Sequence, residues 1–196
     1  MTNIRIIYRA LVNGIIVALV SVLLAYLILP LKYAATTRIL VVPHEVPGVD
    51  PYTSSKSAER IAQNMAEILS SSQFFKRVIS ISLGIDPHYF PDDELERRKL
   101  WNQTIDASVG LNTGILTINI YHKDPDQAVR ISTAVIQVLT GSGGDFSVNS
   151  ADFRVVDSPV ASKYPKQPNF PAIAAAGLLG GAAVSVGFYI FRRKNS

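Results

Sequence analysis

The chain has 196 residues, no cysteine, 48% hydrophobic residues and a formal net charge of +4. The positive excess lies in the two ends, residues 1–9 and 192–196, so that residues 31–171 carry 14 basic residues against all 15 acidic ones. The central segment therefore lacks the basic excess typical of a nucleic-acid-binding protein. A fold held together by disulfides is excluded as well.

The first predicted element is an apolar helix over residues 10–29, preceded by the short basic segment 1–9. Twenty residues of α-helix span about 30 Å, the thickness of a bilayer core. A cleaved signal peptide has an apolar region of only about 7–15 residues, so the length favours a retained membrane helix. Asn13 is the one strongly polar residue of this run. It either hydrogen-bonds across helices or lies near the membrane interface.

Residues 30–163 are predicted to form one α/β domain. Ile39, Val41 and their neighbours predict a strand that Pro43 stops, and Ile61, Met65 and Leu69 recur at helical spacing. The predicted elements in chain order are a strand at 36–43, a helix capped by Ser54 or Ser55, a second helical piece at 74–81 ending near Gly84, a third helix beginning at Asp92, hairpin strands at 105–109 and 115–121, a helix from Asp124–Pro125 to Leu139, and a strand at 153–156. This β-α-α-α-β-β-α-β order predicts an α/β (α+β) extracytoplasmic domain with a mixed sheet, flanked by two transmembrane helices.

The chain ends in a proline-rich segment and a second apolar span. Pro165, Pro168 and Pro171 repeat every three residues, the period of polyproline II, and predict a stiff stalk over 164–171. Pro171 is expected at the first helical position. Residues 172–191 carry no charge and predict a second transmembrane helix, followed by the basic tail 192–196.

Small residues follow one side of this second span. Gly177, Gly181 and Ser185 are four residues apart, a pattern that allows close approach of another helix backbone. Glycine is also simply common in membrane helices. We favour helix–helix packing because the three residues share one stripe.

Two spans place both ends of the chain on one side of the membrane. Five basic residues in the tails compare with Lys32, Arg38, Lys163 and Lys166 near the opposite face. The positive-inside rule and the ready translocation of long loops place the tails in the cytoplasm. The expected location is a bacterial inner membrane with the central domain outside the cytoplasm.

No residue pattern indicates an enzyme. His44, His88 and His122 are isolated, and no pair has the spacing of metal ligands on one helix. A G-x-x-x-x-G-K-[ST] phosphate loop is absent from the sequence. Ser142 follows Gly141 without the strand–elbow–helix context of a hydrolase, and the carboxylates at 92–94 fit a salt-bridged helix face, with Asp93–Arg97 and Glu94–Arg98 spaced four apart. We expect no catalytic residue, cofactor or metal.

The order of these features resembles one family. After the first span come a strand at Ala35–Val42, a hairpin strand at Thr113–Ile120, a helix opening at Asp124–Ala128, the sequence Val155–Pro159, spaced prolines and a glycine-rich second span. This order resembles the Wzz-type polysaccharide co-polymerases, the chain-length determinants of bacterial O-antigen, capsule and exopolysaccharide assembly. The chain resembles a short member without a kinase domain.

The resemblance implies a ring of protomers with an α/β base on the membrane. It implies a non-catalytic scaffold that regulates polymer length together with the polysaccharide polymerase and with the flippase or export machinery. Two departures stand out: Gly141–Gly144 replaces the long helix of larger members, and the tail 192–196 carries no phosphate loop or tyrosine cluster. An adaptor for a separate cytoplasmic tyrosine kinase is the alternative. An extracytoplasmic ligand sensor is a third interpretation.

Overall fold

The structure is a computed structural model. It describes residues 2–44, 50–81, 83–141 and 151–194. Internal contacts divide the chain into two units, Met1–Leu31 with Lys166–Ser196 and, separately, Lys32–Pro165. The first unit contains two long helices and the second contains a sheet with its covering helices. Ser142 and the glycines that follow it lie outside the described residues.

The first unit consists of helices α1, Thr2–Ile28, and α6, Phe170–Lys194. Both are long and apolar enough to cross a membrane, over Ala10–Ile28 and Phe170–Gly187, with mean hydropathies of 2.6 and 1.7. The prediction of two apolar helices at these places is confirmed. Asn169 precedes α6, and its Oδ1 accepts a hydrogen bond of 3.2 Å from the N–H of Ala172. Pro171 is therefore the second helical residue and not the first.

The second unit is built on a four-stranded sheet. Its strands are β1, Tyr33–Pro43; β2, Ile105–Val109; β3, Ile115–His122; and β4, Ala151–Ala161. They lie in the order β2-β3-β1-β4, and each neighbouring pair is antiparallel. The prediction of a mixed sheet is wrong. β1 and β2 run in the same direction, but β3 lies between them. β3 and β4 also run in the same direction, but β1 lies between them, so no two parallel strands are neighbours.

Helices connect the strands in the predicted order. They are α2, Pro51–Leu69; α3, Ser72–Ile79; a 3₁₀ turn at Pro87–Tyr89; α4, Glu94–Thr104; and α5, Pro125–Thr140. The predicted succession of strands and helices is confirmed. With the sheet order, it gives the β-α-β-β-α-β arrangement of the ferredoxin-like fold, with α2–α4 together forming the first helical connection.

Aspartates cap α2, α4 and α5, whereas Ser71 caps α3. The Asp50 carboxylate accepts hydrogen bonds of 3.0 and 3.1 Å from the N–H groups of Tyr52 and Thr53, with Pro51 at the first helical position. The prediction of Ser54 or Ser55 as the cap of α2 is therefore wrong. An ionised carboxylate at the positive end of the helix dipole satisfies the free N–H groups and favours this earlier start.

Strand alternation creates the hydrophobic core. Every second residue of β3 is buried, and α2 and α5 pack on that face of the sheet. An amphipathic helix and an alternating strand bury apolar side chains together in this way. The largest fully buried side chains are those of Trp101, Phe74, Ile39, Met65, Leu69, Leu116, Ile118, Ile120, Ile131, Val41, Val78 and Val135.

The opposite face of the sheet carries a network of polar side chains. Thr36 donates a hydrogen bond of 2.8 Å to the amide oxygen of Asn119, and Asn119 donates one of 3.3 Å to Asp106. Arg38 and Asp157 form an exposed ion pair of 3.6 Å. Such cross-strand contacts join β2, β3, β1 and β4 on this side.

The hairpin between β2 and β3 turns through two residues of positive φ. Asn112 has φ 57° and Gly114 has φ 61°. A Cβ atom on Gly114 would lie 2.7 Å from the Cβ of Ala58, so the turn also approaches α2 closely. A glycine is needed at 114 for two reasons: its φ is positive, and α2 lies too close to leave space for a side chain.

Strand β4 is longer than the predicted 153–156 and forms one edge of the sheet. It continues through Pro159 because an edge strand tolerates a residue that lacks an N–H group. Its last residue, Ala161, is paired with Ala35 near the start of β1. Ser162 then donates from its N–H to the carbonyl of Ala34 at 2.8 Å.

Candidate helix–helix interface

Helices α1 and α6 of the first unit pack backbone against backbone. A Cβ atom added to Gly181 would lie 2.9 Å from the Cα of Gly14, and one added to Gly177 would lie 2.8 Å from the Cα of Ala18. A Cβ on Gly14 would lie 2.8 Å from the carbonyl oxygen of Leu178. These separations leave no room for a side chain. Small residues on both helices thus allow the contact, and the same pattern occurs where membrane helices pack closely.

The structure places Gly177, Gly181 and Ser185 on the side of α6 that faces α1. Ser185 accepts a hydrogen bond of 3.1 Å through its Oγ from the side-chain Nδ2 of Asn13. Of the two roles considered for Asn13, the structure shows the bond across helices. The polar group lies within the apolar stretch of α1, and a hydrogen-bond partner lowers the cost of placing an amide in apolar surroundings.

A matching stripe of small residues on α1 was missed by the sequence interpretation. The buried small residues of that helix are Ala10, Gly14, Ala18 and Ala25. The first three are four residues apart and Ala25 follows seven residues later, so all four lie on one side of the helix. This spacing is the sequence signal for the packed side of α1.

The other end of the helix pair is aromatic. The rings of Tyr26 on α1 and Phe170 on α6 have centroids 6.4 Å apart and are inclined by 43°. A tyrosine ring, apolar with one polar edge, favours the boundary between hydrocarbon and water, whereas Phe170 adds only an apolar contact. The position of the two rings near the ends of both apolar helices fits the end of a membrane span.

A groove runs beside the contact, with a volume of about 420 Å³. Its lining residues come from both helices and are Asn13, Ile16, Val17, Gly180, Gly181, Val184 and Ser185. A Cβ on Gly180 would meet no other atom within 4 Å, so this glycine does not contribute to the α1–α6 contact. The groove thus has an apolar part and a polar part, and the polar part consists of the Asn13 amide and the Ser185 hydroxyl.

The predicted proline stalk falls at the division between the two units. Pro165 belongs to the domain, whereas Pro168 and Pro171 belong to the unit with the helices. The peptide bond between Gln167 and Pro168 is cis. Phe170 begins α6, so Pro171 is helical. The stiffness predicted for this segment remains a prediction.

The polar residues considered for chemistry lie apart from one another. His44 contacts Asp152 at 3.2 Å, with both side chains more than half exposed, and His88 lies in the 3₁₀ turn. Within the described ranges, no group of three His, Asp or Glu side chains could hold a metal ion. Asp93 caps α4 through the N–H of Glu96 at 2.9 Å instead of pairing with Arg97.

The second predicted pair on α4 is present. Glu94 and Arg98 approach to 3.9 Å, and both side chains are more than half exposed. Such a solvated pair contributes about 0.5 kcal/mol or less. It supports the helix and does not form a cleft with an opposing carboxylate.

His122 is the one histidine held in the interior. It is 6% exposed, its ring centroid lies 4.1 Å from that of Tyr89, and its Nδ1 accepts a hydrogen bond of 3.0 Å from the N–H of Asp124. Burial lowers the pKa of the imidazole below its ordinary value. The neutral ring shapes the turn into α5, and this structural role accounts for its burial.

The sequence matches no protein-family model, and it matches no curated protein.

Proposed function

We propose that the chain is a non-catalytic, oligomeric membrane scaffold that regulates chain length in bacterial surface polysaccharide assembly. The observation that carries the proposal is the closely packed helix pair α1–α6, whose two helices bracket an α/β domain along the chain. The order of features that resembles the Wzz-type co-polymerases supports it further. In this proposal the polymer is O-antigen, capsule or exopolysaccharide.

The proposed membrane arrangement follows from charge. The chain crosses the inner membrane twice, with both ends in the cytoplasm and residues 30–163 outside. The five basic residues at 1–9 and 192–196 support this orientation, because cations near a span are retained on the cytoplasmic side. Anionic lipids of the inner leaflet attract the same residues.

In the proposed mechanism the protein positions other proteins and carries out no chemical step. Several copies associate in the membrane and hold the polysaccharide polymerase at a fixed place relative to the growing, lipid-linked chain. The domain offers a rigid base for such a role, because cross-strand hydrogen bonds between Thr36, Asn119 and Asp106 join three strands of its sheet. The flippase or export machinery would be a neighbour in the same assembly.

The test is the length distribution of surface polysaccharide in a strain lacking this gene. We expect polymer to be made without its preferred length and the wild-type gene to restore that length. A gel that resolves polymer by size provides the measurement. An unchanged length distribution in the deletion strain would contradict the proposal.

A third outcome would favour the alternative function. If polymer disappears and a cytoplasmic tyrosine kinase loses its phosphate, the chain acts as a membrane adaptor for that kinase. The basic residues Arg192, Arg193 and Lys194 would then supply the contact, and their replacement by serine would abolish phosphorylation. The scaffold proposal predicts that this triple variant retains normal polymer length.

A further inference from the structure

The side-chain amide of Asn13 has an unpaired donor and an unpaired acceptor among the described residues. One of its two Nδ2 hydrogens serves the bond to Ser185, at 3.1 Å. The second hydrogen and the Oδ1 acceptor have no partner among the described residues, and the residue is exposed on the surface of the helix pair. A primary amide offers two donors and one acceptor with two lone pairs, so most of this capacity is open.

The position of Asn13 makes those free groups costly. It is six residues from the middle of the apolar stretch Ala10–Ile28, about 9 Å along the helix axis. The hydrocarbon core extends about 15 Å from its centre, so the amide lies within lipid if α1 spans a membrane as proposed above. Lipid tails offer no hydrogen-bond partner, and each unsatisfied polar group there costs several kcal/mol.

The groove beside the amide can admit a large partner. Its volume is about 420 Å³, and Gly180 on its wall has no atom within 4 Å of the place where a Cβ would lie. Ile16 and Val184 border it with 52% and 73% of their surface exposed. An apolar helix that carries one polar group of its own fits this surface better than an acyl chain, which would leave the amide unpaired.

We propose that this groove is occupied by α1 of a second copy of the chain, with the Asn13 amides of the two copies hydrogen-bonded to each other. The amide is self-complementary, because its Nδ2 can donate to the Oδ1 of another Asn13. In a closed ring of a few copies, each amide donates to the next and accepts from the one before, while its other hydrogen retains the bond to Ser185. A single asparagine in a helix seam also fixes the register and number of associating helices.

The inference rests on the proposed two-pass membrane scaffold and names the surface through which it associates. The first test measures self-association of the full chain in lipid bilayers by energy transfer between labelled copies. We expect Asn13→Leu to weaken the association of two copies by about threefold to tenfold, from the strength of one side-chain hydrogen bond in a membrane. Asn13→Gln, which retains an amide, should recover part of that affinity.

Ser185→Ala is the matched control. This variant removes the hydrogen bond inside the helix pair and leaves the Asn13 amide available to a neighbour. Because Ser185 also lines the groove, we expect this variant to weaken association, but clearly less than Asn13→Leu does. Equal weakening by Ser185→Ala and Asn13→Leu would overturn the inference, because both effects would then arise from the α1–α6 pair within one chain. Unchanged association of Asn13→Leu would overturn it as well.

A cross-linking test locates the surface directly. The chain contains no cysteine, so a single one can be introduced without background. Ile16→Cys lies in the groove, whereas Ile15→Cys is also exposed but lies two positions from Asn13, about 200° around the helix. We expect disulfide-linked dimers from Ile16→Cys at yields at least several times those of Ile15→Cys. Equal yields, or none from Ile16→Cys, would contradict a second copy in the groove.

These measurements use purified protein and no polysaccharide. They can therefore fail while the length distribution in the deletion strain still supports the proposed function. Conversely, the Asn13 contact can be present in purified protein while the deletion strain makes polymer of unchanged length. That result would support the interface and refute the proposed function.

Discussion

The indole N–H of Trp101 donates a hydrogen bond of 2.9 Å to the carbonyl oxygen of Leu69, the last residue of α2. Trp101 lies on α4 and is 1% exposed, and the ring of Phe75 packs edge-on against it with centroids 5.2 Å apart. A free carbonyl at a helix end thus receives its donor from another helix. One side chain joins α2, α3 and α4 into the first helical connection of the domain.

Replacement of Trp101 should therefore affect the whole domain. We expect Trp101→Ala to lower the free energy of unfolding by about 3–5 kcal/mol, because it creates a cavity and leaves the Leu69 carbonyl without its donor. Trp101→Phe retains most of the apolar volume and should cost less. Urea unfolding followed by far-UV circular dichroism measures both, since the chain has no other tryptophan for fluorescence. Equal losses would mean that the volume of the ring does not determine the stability there.

The two glycines Gly181 and Gly187 provide a matched pair in α6. A Cβ on Gly181 would meet the Cα of Gly14 and the Cβ of Val17 at 2.9 Å, whereas one on Gly187 would meet nothing within 4 Å. We expect Gly181→Ala to destabilise the helix pair by about 1–3 kcal/mol through overpacking. Gly187→Ala should be neutral or stabilise α6 by up to about 1 kcal/mol.

Unfolding of the full chain in mixed micelles with rising dodecyl sulfate content, followed by circular dichroism, measures this difference. Similar midpoints for the two variants would show that α1 and α6 do not pack at Gly14 and Gly181 in solution. The comparison isolates steric contact, because both variants make the same chemical change in one helix.

Substitutions at Gly114 and Asn112 test the turn between β2 and β3. The φ of Gly114, 61°, and its approach to Ala58 exclude a side chain, so Gly114→Ala should destabilise the domain by more than about 1 kcal/mol. Asn112 has a similar φ of 57° without being glycine, and Asn112→Gly should be neutral or slightly stabilising. Thermal unfolding compares the variants. A stable Gly114→Ala protein would indicate a hairpin that does not contact α2.

The stability of the domain should depend on the protonation of His122. Burial is the main cause of its lowered pKa and Lys32 acts in the same direction, whereas Asp124, through its backbone and its charge, and Asp86 oppose them. Because the folded-state pKa lies below the ordinary value of 6.5, the unfolded chain binds the proton more readily. The stability is complete above pH 6.5 and is lost as the pH falls from there towards the folded-state pKa.

Urea unfolding at about pH 7.5 and about pH 5.5, on either side of the ordinary histidine pKa, measures this loss. His122→Gln keeps an acceptor near the N–H of Asp124 and removes the titrating group, so its stability should fall less between the two pH values. Carboxylates titrate in both proteins and cancel in the comparison. An equal fall for wild type and variant would show that His122 is accessible to protons in the folded state.

Local patterns predicted the elements of the domain well because each pattern has a local cause. Strand β3 alternates strictly, and Asp124 with Pro125 marks the start of α5 by chemistry that acts within one helical turn. The antiparallel pairing of the sheet has no such local source. It depends on which strand lies between β1 and β2, and only the packing of all the helices on one face decides that.

The helix pair shows the same limit. The spacing of Gly177, Gly181 and Ser185 indicated a packed side of α6 but could not say which helix it meets. The bond from Asn13 to Ser185 joins residues 172 positions apart, and its geometry follows from the approach of two backbones. Asp50 was missed for a simpler reason, because two serines close by offered the same capping chemistry.

The adjacent ends of the domain have a consequence for its evolution and engineering. Ala35 and Ala161 are partners in neighbouring strands, and Ala34 and Ser162 are joined by a hydrogen bond of 2.8 Å, so the chain enters and leaves at nearly the same point. Domains with such neighbouring ends can be inserted into another structure without stretching it. In chain order the domain lies between two helices, and we expect that a different module with closely spaced ends could replace it while the helices still pair.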